Sequence, residues 1–213
     1  MTMNFATPTK TALLALLFPF ASLLLAVPSV QASVEIGKPA PAFTLPSADG
    51  KEVSLESQRG KFVVLEWLNH GCPYVRKHYD SDNMQSLQRK FTGKGVVWLS
   101  IISSAPGKQG HSTPEQALAD VAAKNAKPTA VLLDPAGAVG KLYGAKTTPH
   151  MFVIDDKGVL VYAGAIDDNP SSDAADAATA KNYVRAAYEE ASAGKPVTTA
   201  STPPYGCGDK YKD

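Results

Sequence analysis

The sequence predicts an α/β domain whose central sheet is covered by helices on both faces. Two nearly continuous apolar runs, residues 62–68 and 96–102, are typical of strands that are buried on both sides. Helical stretches alternate with these runs, and a hairpin followed by an Ala-rich helix ends the domain. Strands that alternate with helices in this order predict a single α/β sheet rather than separate helical and strand domains.

The other elements are placed by local signals. Residues 43–45 and 53–55 alternate on either side of the turn Ala48-Asp49-Gly50, which predicts an N-terminal hairpin extension. Thr113-Pro114-Glu115-Gln116 opens a helix with proline at its first position. The remaining predictions are a helix over about 73–91, a short strand at 130–133, a short helix at 136–143, a hairpin from 151–154 and 159–163, and a final helix at 174–193.

The first residues resemble an export signal. Lys10 is the only charge before Glu35, an apolar run covers residues 11–27, and small residues end the segment at Val30-Gln31-Ala32. A retained membrane anchor is the alternative, but the run falls short of the ~20 residues that a spanning helix needs. We therefore expect a signal peptide at 1–32, a domain at 33–193 and a flexible Pro/Thr-rich tail at 194–213, in a periplasmic or secreted protein.

The charge pattern argues against nucleic-acid or anionic-membrane binding. The chain has 21 Lys and Arg against 20 Asp and Glu, and removal of Lys10 with the signal balances the two. No Lys/Arg stripe and no aromatic RNA-binding motif interrupts this balance. The partners expected are therefore redox partners, namely a peroxide or protein disulfide and a thiol reductant protein.

Cys72 lies where a buried strand gives way to a helix. Pro73 suits the first helical position, which puts Cys72 at the N-cap. Free backbone N–H groups and the positive end of the helix dipole favour a thiolate there, and Arg76 and Lys77 in the first turn are expected to add positive charge. Because sites in α/β sheets gather at the carboxyl ends of strands, this position predicts a reactive thiol.

Cys207 is the other cysteine, and it stands in the tail. In an oxidising compartment an even number of cysteines is typical of a structural disulfide, so a static Cys72–Cys207 clamp is one interpretation. The other is a resolving thiol on an extended, poorly packed segment, with a reversible bridge to Cys72.

The motifs together resemble a known family. Gly37-Lys38-Pro39-Ala40-Pro41-Ala42-Phe43, Asn69-His70-Gly71-Cys72-Pro73-Tyr74-Val75 and Thr148-Pro149-His150 occur in this order, with a closing hairpin. They are similar to the redoxin branch of the thioredoxin superfamily, and more narrowly to alkyl hydroperoxide reductase and thiol-specific antioxidant proteins. The resemblance implies a thioredoxin-like fold with a central mixed sheet, over residues 34–193.

The same resemblance implies roles for individual residues. Cys72 matches the nucleophile of the thioredoxin Cys-x-x-Cys, and Val75 stands where the second cysteine would be. Pro149 matches a proline that thioredoxins hold in cis, beside which Thr148 would offer backbone groups to a substrate. Peroxiredoxins have Pro-x-x-x-Thr-x-x-Cys, where this chain has Leu65 and Asn69, and this departure predicts slower peroxide turnover.

The other polar residues near the thiol have open interpretations. Glu66 is the only charge in its strand, so it is either a buried carboxyl that exchanges protons or a solvated residue at the sheet margin. We expect His70 and His150 to line the thiol pocket, and Tyr74 either to join them or to pack elsewhere. Histidine spacing matches no zinc template, so neither a metal nor another cofactor is predicted.

The sequence therefore predicts a thiol-dependent oxidoreductase of antioxidant, peroxiredoxin-like or disulfide-exchange type. Cys72 is the expected nucleophile, with Glu66 and the pocket residues around it, and Cys207 is the expected resolving thiol. The alternative is a non-catalytic redoxin-fold binding protein with a structural disulfide. An oligomer is compatible with either.

Export can be tested directly. Because the signal ends in Val30-Gln31-Ala32, the mature chain is expected to begin at Ser33. Amino-terminal sequencing of protein recovered from outside the cytoplasm checks this. An intact Met1, or recovery from the cytosol alone, would contradict it.

Overall fold

The computed structural model describes residues 1–4 and 34–212. The predicted export signal and its cleavage site lie outside the described residues, except for the first four positions. The chain divides into the compact units Met1–Val30 and Gln31–Asp213, and all the described strands and helices belong to the second. Within the described residues, no helix has both the length and the apolar character to cross a membrane.

A five-stranded mixed sheet in the order β5-β4-β3-β7-β8 forms the centre of the domain. Strands β3, β4 and β5 are parallel, whereas β7 pairs antiparallel with both β3 and β8. The described strands and α-helices are β1 (Thr44–Pro46), β2 (Glu52–Ser54), β3 (Val63–Trp67), α1 (Pro73–Asp80), α2 (Asn83–Thr92), β4 (Val97–Ile102), α3 (Pro114–Ala123), β5 (Ala130–Leu133), α4 (Ala138–Tyr143), β6 (Thr147–Thr148), β7 (His150–Ile154), β8 (Leu160–Gly164), α5 (Tyr183–Ser192) and β9 (Cys207–Gly208). Two short 3₁₀ helices lie at Glu56–Gln58 and Ala174–Ala178. The predicted α/β class and the N-terminal hairpin, β1 with β2, are confirmed.

Both faces of the sheet are covered, as the apolar runs predict. In β3 successive side chains point to opposite sides, so Val64 joins one buried cluster and Leu65 the other. The first cluster packs against α1, α2 and α5, and the second against α4 and the N-terminal segment. Every residue of β3 is buried, which explains why its sequence is almost continuously apolar.

Two helices differ from the prediction in their extent. The single helix expected over 73–91 is broken into α1 and α2 at Asp82, whose φ of 59° is left-handed. Asp and Asn tolerate that conformation better than most residues, and the local sequence Asp80-Ser81-Asp82-Asn83 supplies them. The last helix begins at Tyr183 rather than near 174, because Asn182 caps it by accepting a hydrogen bond from the Arg185 N–H (2.8 Å).

The tail is packed, in contrast to the poorly packed segment that its Pro/Thr-rich composition predicts. Thr202 pairs with the backbone of Ala163 in β8, and Cys207 pairs with Thr148 as β9 joins β6. Farther on, the Lys210 carbonyl accepts a hydrogen bond from Ala105 N–H (2.8 Å). Close approach needs Gly164, where a Cβ would lie 2.3 Å from Thr202 Oγ1. The tail therefore crosses the end of the sheet at which β3 finishes, just before Cys72.

Truncation in the middle of β3 tests the double-sided core. Leu65 is 0% exposed between two covered faces, so Leu65→Ala is expected to lower the free energy of unfolding by about 2–5 kcal/mol. Leu118 is 46% exposed on α3, and Leu118→Ala is the matched control, with an expected change within about 0.5 kcal/mol. Urea unfolding measures both. Equal effects of the two substitutions would contradict burial of β3 on both faces.

Candidate active site

Cys72 occupies the position that the strand-to-helix pattern predicts. β3 ends at Trp67, a short loop follows, and Cys72 is the extended N-cap of α1 (φ −79°, ψ 127°) with Pro73 as the first helical residue. Its carbonyl accepts the first helical hydrogen bond, from Arg76 N–H at 3.0 Å. The side chain is 0% exposed, so the thiol is covered rather than open to solvent.

Two neighbouring segments cover the thiol. Cys72 Sγ donates a hydrogen bond to the carbonyl of Thr148 (3.1 Å), and the backbone N–H of Cys207 donates to Cys72 Sγ (3.4 Å). Thr148 and Cys207 are opposite each other in the antiparallel pair of β6 with β9. The Thr148–Pro149 peptide is cis, as the resemblance implied. The structure thus brings together Cys72, Thr148, Pro149 and Cys207, and both cysteines are free thiols.

The two thiols differ in acidity. Burial acts to raise the pKa of Cys72, but hydrogen bonds from the Cys207 thiol and from the backbone of Val75 and Cys207 leave that pKa below its ordinary value. Burial and the neighbouring Cys72 sulfur raise the pKa of Cys207 to about 11. Because the thiolate is the nucleophile, this difference favours attack by Cys72 and keeps the proton on Cys207.

The expected contribution of Lys77 to the thiolate is not present. Lys77 is 1% exposed and its Nζ lies 3.3 Å from Asp167 Oδ2, so its charge is neutralised inside the domain. Arg76 remains exposed, and its charge acts to lower the pKa of Cys207. The acidity of Cys72 therefore rests on hydrogen-bond donors at the helix start rather than on adjacent basic side chains.

Glu66 is fully buried, which excludes the solvated sheet-margin interpretation. Its carboxylate accepts hydrogen bonds from four side chains on β4, α1 and α2: Trp98 Nε1 (2.8 Å), Ser100 Oγ (2.7 Å), Tyr79 Oη (2.9 Å) and Gln88 Nε2 (3.3 Å). Burial raises its pKa despite these donors. Among the described residues, no hydrogen bond joins Glu66 to Cys72. Tyr79, which donates to Glu66, contacts the ring of His70 edge-on at 4.9 Å.

Asn69 and His70 line a cleft of about 370 Å³ beside the thiol loop, with His111, Gln116 and Asp120 on its far side. Asn69 Oδ1 accepts a hydrogen bond from Gly71 N–H (2.8 Å), which shapes the loop into Cys72. Burial lowers the pKa of His70 to about 4, so its ring is neutral at physiological pH. Tyr74 instead contacts the tail, with its ring edge-on to Tyr205 at 5.9 Å.

His150 is not part of the thiol pocket, so that prediction is wrong. Its side chain lies on the face of β7 shared with Trp67 and Phe152, and its ring is 4.5 Å from that of Phe152. Cys72 belongs to the cluster on the opposite face. The error has a simple cause, because the face on which a strand residue lies depends on the pairing register, and His150 is paired with Trp67.

A buried polar network beside the thiol was missed by sequence reasoning. Tyr205 Oη donates a hydrogen bond to Asp167 Oδ1 and lies 3.2 Å from His78 Nε2 and 3.4 Å from Lys77 Nζ. Asp167 is 2% exposed, so its carboxylate lies inside the domain. No local pattern could have joined these residues, since Lys77 and Asp167 are 90 positions apart.

The thiol assignment can be tested by alkylation across pH. Cys72 is expected to react with a midpoint below that of an ordinary thiol, and Cys207 with a midpoint near 11. Cys207→Ala removes a donor to Cys72 and should raise the Cys72 midpoint, whereas Cys207→Ser keeps a hydroxyl donor and should raise it less. Mass-resolved alkylation rates give both midpoints. A Cys207 that titrates before Cys72 would reverse the assignment.

Comparison with known proteins agrees with this geometry. The family model described as AhpC/TSA family matches residues 36–163. The chain is 28% identical to the thiol-disulfide oxidoreductase ResA of Bacillus cereus over 138 residues, 62% of this chain and 71% of that protein. It is 30% identical to the putative peroxiredoxin bcp of Coxiella burnetii over 135 residues, 60% of this chain and 86% of that protein.

Solved structures show the same fold. A hypothetical protein from Sinorhizobium meliloti superposes with a TM-score of 0.71 at 27% identity, covering 85% of this chain and 97% of that one. A putative thiol:disulfide interchange protein DsbE from Chlorobium tepidum superposes with a TM-score of 0.50 at 28% identity, covering 61% and 84%. The fold is thioredoxin-like, and the chain belongs to the AhpC/TSA family.

Proposed function

We propose that this chain is an exported thiol–disulfide oxidoreductase that cycles between a Cys72–Cys207 dithiol and the corresponding disulfide. Its family and its relatives make it a thiol-dependent oxidoreductase, and the finer assignment is ours. The observation that carries it is the contact between the Cys207 N–H and Cys72 Sγ at 3.4 Å, in a strand pair that holds the tail against Thr148. The second thiol that the motif lacks at Val75 is supplied by the tail.

The chemistry follows from the two acidities. The Cys72 thiolate attacks one sulfur of a substrate disulfide, that S–S bond breaks, and the first substrate thiolate leaves. The Cys207 thiolate then attacks Cys72 Sγ, which releases the second substrate thiolate and forms the Cys72–Cys207 disulfide. The substrate gains two electrons, and the protons of the two enzyme thiols reach the leaving thiolates through solvent. A thiol reductant protein restores the dithiol.

Peroxide is the second candidate substrate, favoured by the similarity to the putative peroxiredoxin. Cys72 would be oxidised to a sulfenic acid as the peroxide O–O bond breaks, and Cys207 would condense with it to release water. Two features favour disulfide exchange instead. Leu65 points into the cluster on the far side of the sheet from Cys72, and the polar atoms of Asn69 already bond Gly71 N–H and Gln109. Neither offers a free polar group to a peroxide oxygen.

The surrounding residues complete the proposal. Thr148, Pro149 and Pro73 shape the backbone around the thiol, Asn69 and His70 border the access cleft, and Tyr74 packs against the tail. We assign Glu66 no direct proton transfer with Cys72, since it acts through Tyr79 to hold α1 on the sheet. Export, to the periplasm or beyond, supplies the oxidising compartment in which such a couple operates.

Three forms of the chain test the cycle on a protein disulfide and on hydrogen peroxide. Wild type should reduce the disulfide, and Cys72→Ser should lose the activity. Cys207→Ser should accumulate a mixed disulfide at Cys72, with turnover lower by on the order of a hundredfold, because resolution becomes bimolecular.

Mass spectrometry of the trapped adduct and steady-state rates give the readout. Full activity of Cys207→Ser would overturn the two-thiol cycle and favour a one-thiol enzyme. A peroxide reaction faster than the disulfide reaction, and lost in Cys72→Ser, would favour the peroxidase. A Cys72–Cys207 bridge that resists mild reductant would favour the static clamp.

A further inference from the structure

Three titratable side chains of the thiol domain are buried without a part in the reaction. Lys77, His78 and Asp167 are 1%, 0% and 2% exposed, respectively. Charged residues are seldom buried this deeply unless they are paired. Here the tail residue Tyr205 completes their arrangement, and it stands two positions before Cys207.

We infer that Lys77, His78 and Asp167 form a positioning site for the tail, which binds Tyr205 so that Cys207 is presented to Cys72. This inference rests on the proposed function, because it concerns the step in which Cys207 resolves a mixed disulfide. The residues act through Cys207 and do not touch the reacting sulfur of a substrate.

The hydroxyl of Tyr205 is held from three sides. It donates to Asp167 Oδ1, and it lies within hydrogen-bond distance of His78 Nε2 and Lys77 Nζ. The Asn83 side-chain amide donates to His78 Nδ1 (2.8 Å), which leaves the proton on Nε2, facing the tyrosine oxygen. The ring also has contacts, with the Lys77 ammonium 5.4 Å from its centre. Tyr205 is therefore held both by the hydrogen bonds of its hydroxyl and by the contact of its ring with the Lys77 ammonium.

The link from Tyr205 to Cys207 has little freedom. Only Gly206 separates them, and its φ of 144° is one that glycine adopts readily. A Cβ at Gly206 would lie 2.1 Å from the carbonyl oxygen of Thr148, the same oxygen that accepts the Cys72 S–H. Once Tyr205 is seated, Cys207 can follow only along Thr148, which is where its N–H reaches Cys72 Sγ.

Helix α1 carries both the nucleophile and part of the site that binds Tyr205. Cys72 caps the start of α1, and Lys77 and His78 lie in its last turn. Because a helix is rigid over eight residues, the distance between the nucleophile and the tyrosine site is fixed by the backbone. The site that binds the tail and the nucleophile therefore lie on the same helix, at a fixed distance from each other.

The test separates attack by Cys72 from resolution by Cys207. Reduced protein is mixed with an aromatic disulfide whose thiol absorbs light. Attack by Cys72 releases one equivalent of the thiol, and attack by Cys207 on the mixed disulfide releases a second. Tyr205→Phe keeps the ring and removes the hydroxyl, so the second phase should slow by about tenfold, as expected for loss of a hydrogen bond to a charged group. The first phase should not slow.

Tyr188→Phe is the matched control, because within the described residues no side-chain hydrogen bond involves its hydroxyl. Both phases of this variant should match those of wild type.

Wild type that releases only one equivalent would overturn the two-thiol cycle and the positioning site with it. Wild type with two phases, beside Tyr205→Phe with an unchanged second phase, would overturn the positioning site alone. Thermal melting of the reduced proteins is measured in parallel, since a purely structural role lowers the melting temperature and leaves the ratio of the two phases unchanged.

Discussion

The backbone pairing of Cys207 with Thr148 is the contact on which the site depends. It is only two residues long, and an isolated pair of that length has no independent stability in water. It persists because the tail is fixed on either side, by Thr202 on β8 before it and by Lys210 against Ala105 after it. In the proposed cycle, these contacts make the attack of Cys207 on Cys72 a reaction within one folded unit, and such proximity is worth several orders of magnitude in rate.

The sheet supplies the rigidity that this arrangement needs. Glu66 is placed where β3, β4, α1 and α2 meet, and each of the last three contributes a donor to its carboxylate. A buried carboxyl without such partners would cost several kcal/mol, about 2–7 for a polar group without a hydrogen bond. Its satisfied network therefore fixes the helix start at which Cys72 stands. We therefore assign Glu66 a structural role, in which it holds the helix that carries Cys72 and takes no part in the reaction.

What the sequence could predict divides along physical lines. Local signals were sufficient for the buried strand β3 and for Pro73 and the N-cap position of Cys72, but they left the burial of Glu66 open between two interpretations. They failed where the position of a side chain depends on strand register or on a partner far away in the sequence. His150 lies on the face opposite Cys72 because its register pairs it with Trp67, and Lys77 is buried because it pairs with Asp167, 90 positions away in the chain. Composition also misled for the tail, since glycine and proline permit close packing as readily as mobility.

The proposed cycle makes two opposite demands on the tail. Cys72 is 0% exposed with Cys207 in place, so in that cycle the covering segment has to move before a substrate sulfur reaches Cys72, and it has to return before Cys207 attacks. Attachment through Tyr205 suits both demands. When the Tyr205 hydroxyl moves out of its site, water can take its place. The net free-energy cost of breaking each hydrogen bond is therefore only about 0.5–1.5 kcal/mol for a neutral hydrogen bond and about 1.5–3 kcal/mol for one to a charged group. Lys77 and Asp167 pair with each other and both belong to the body of the domain, so in the proposed cycle this pair is available to bind the same tyrosine again.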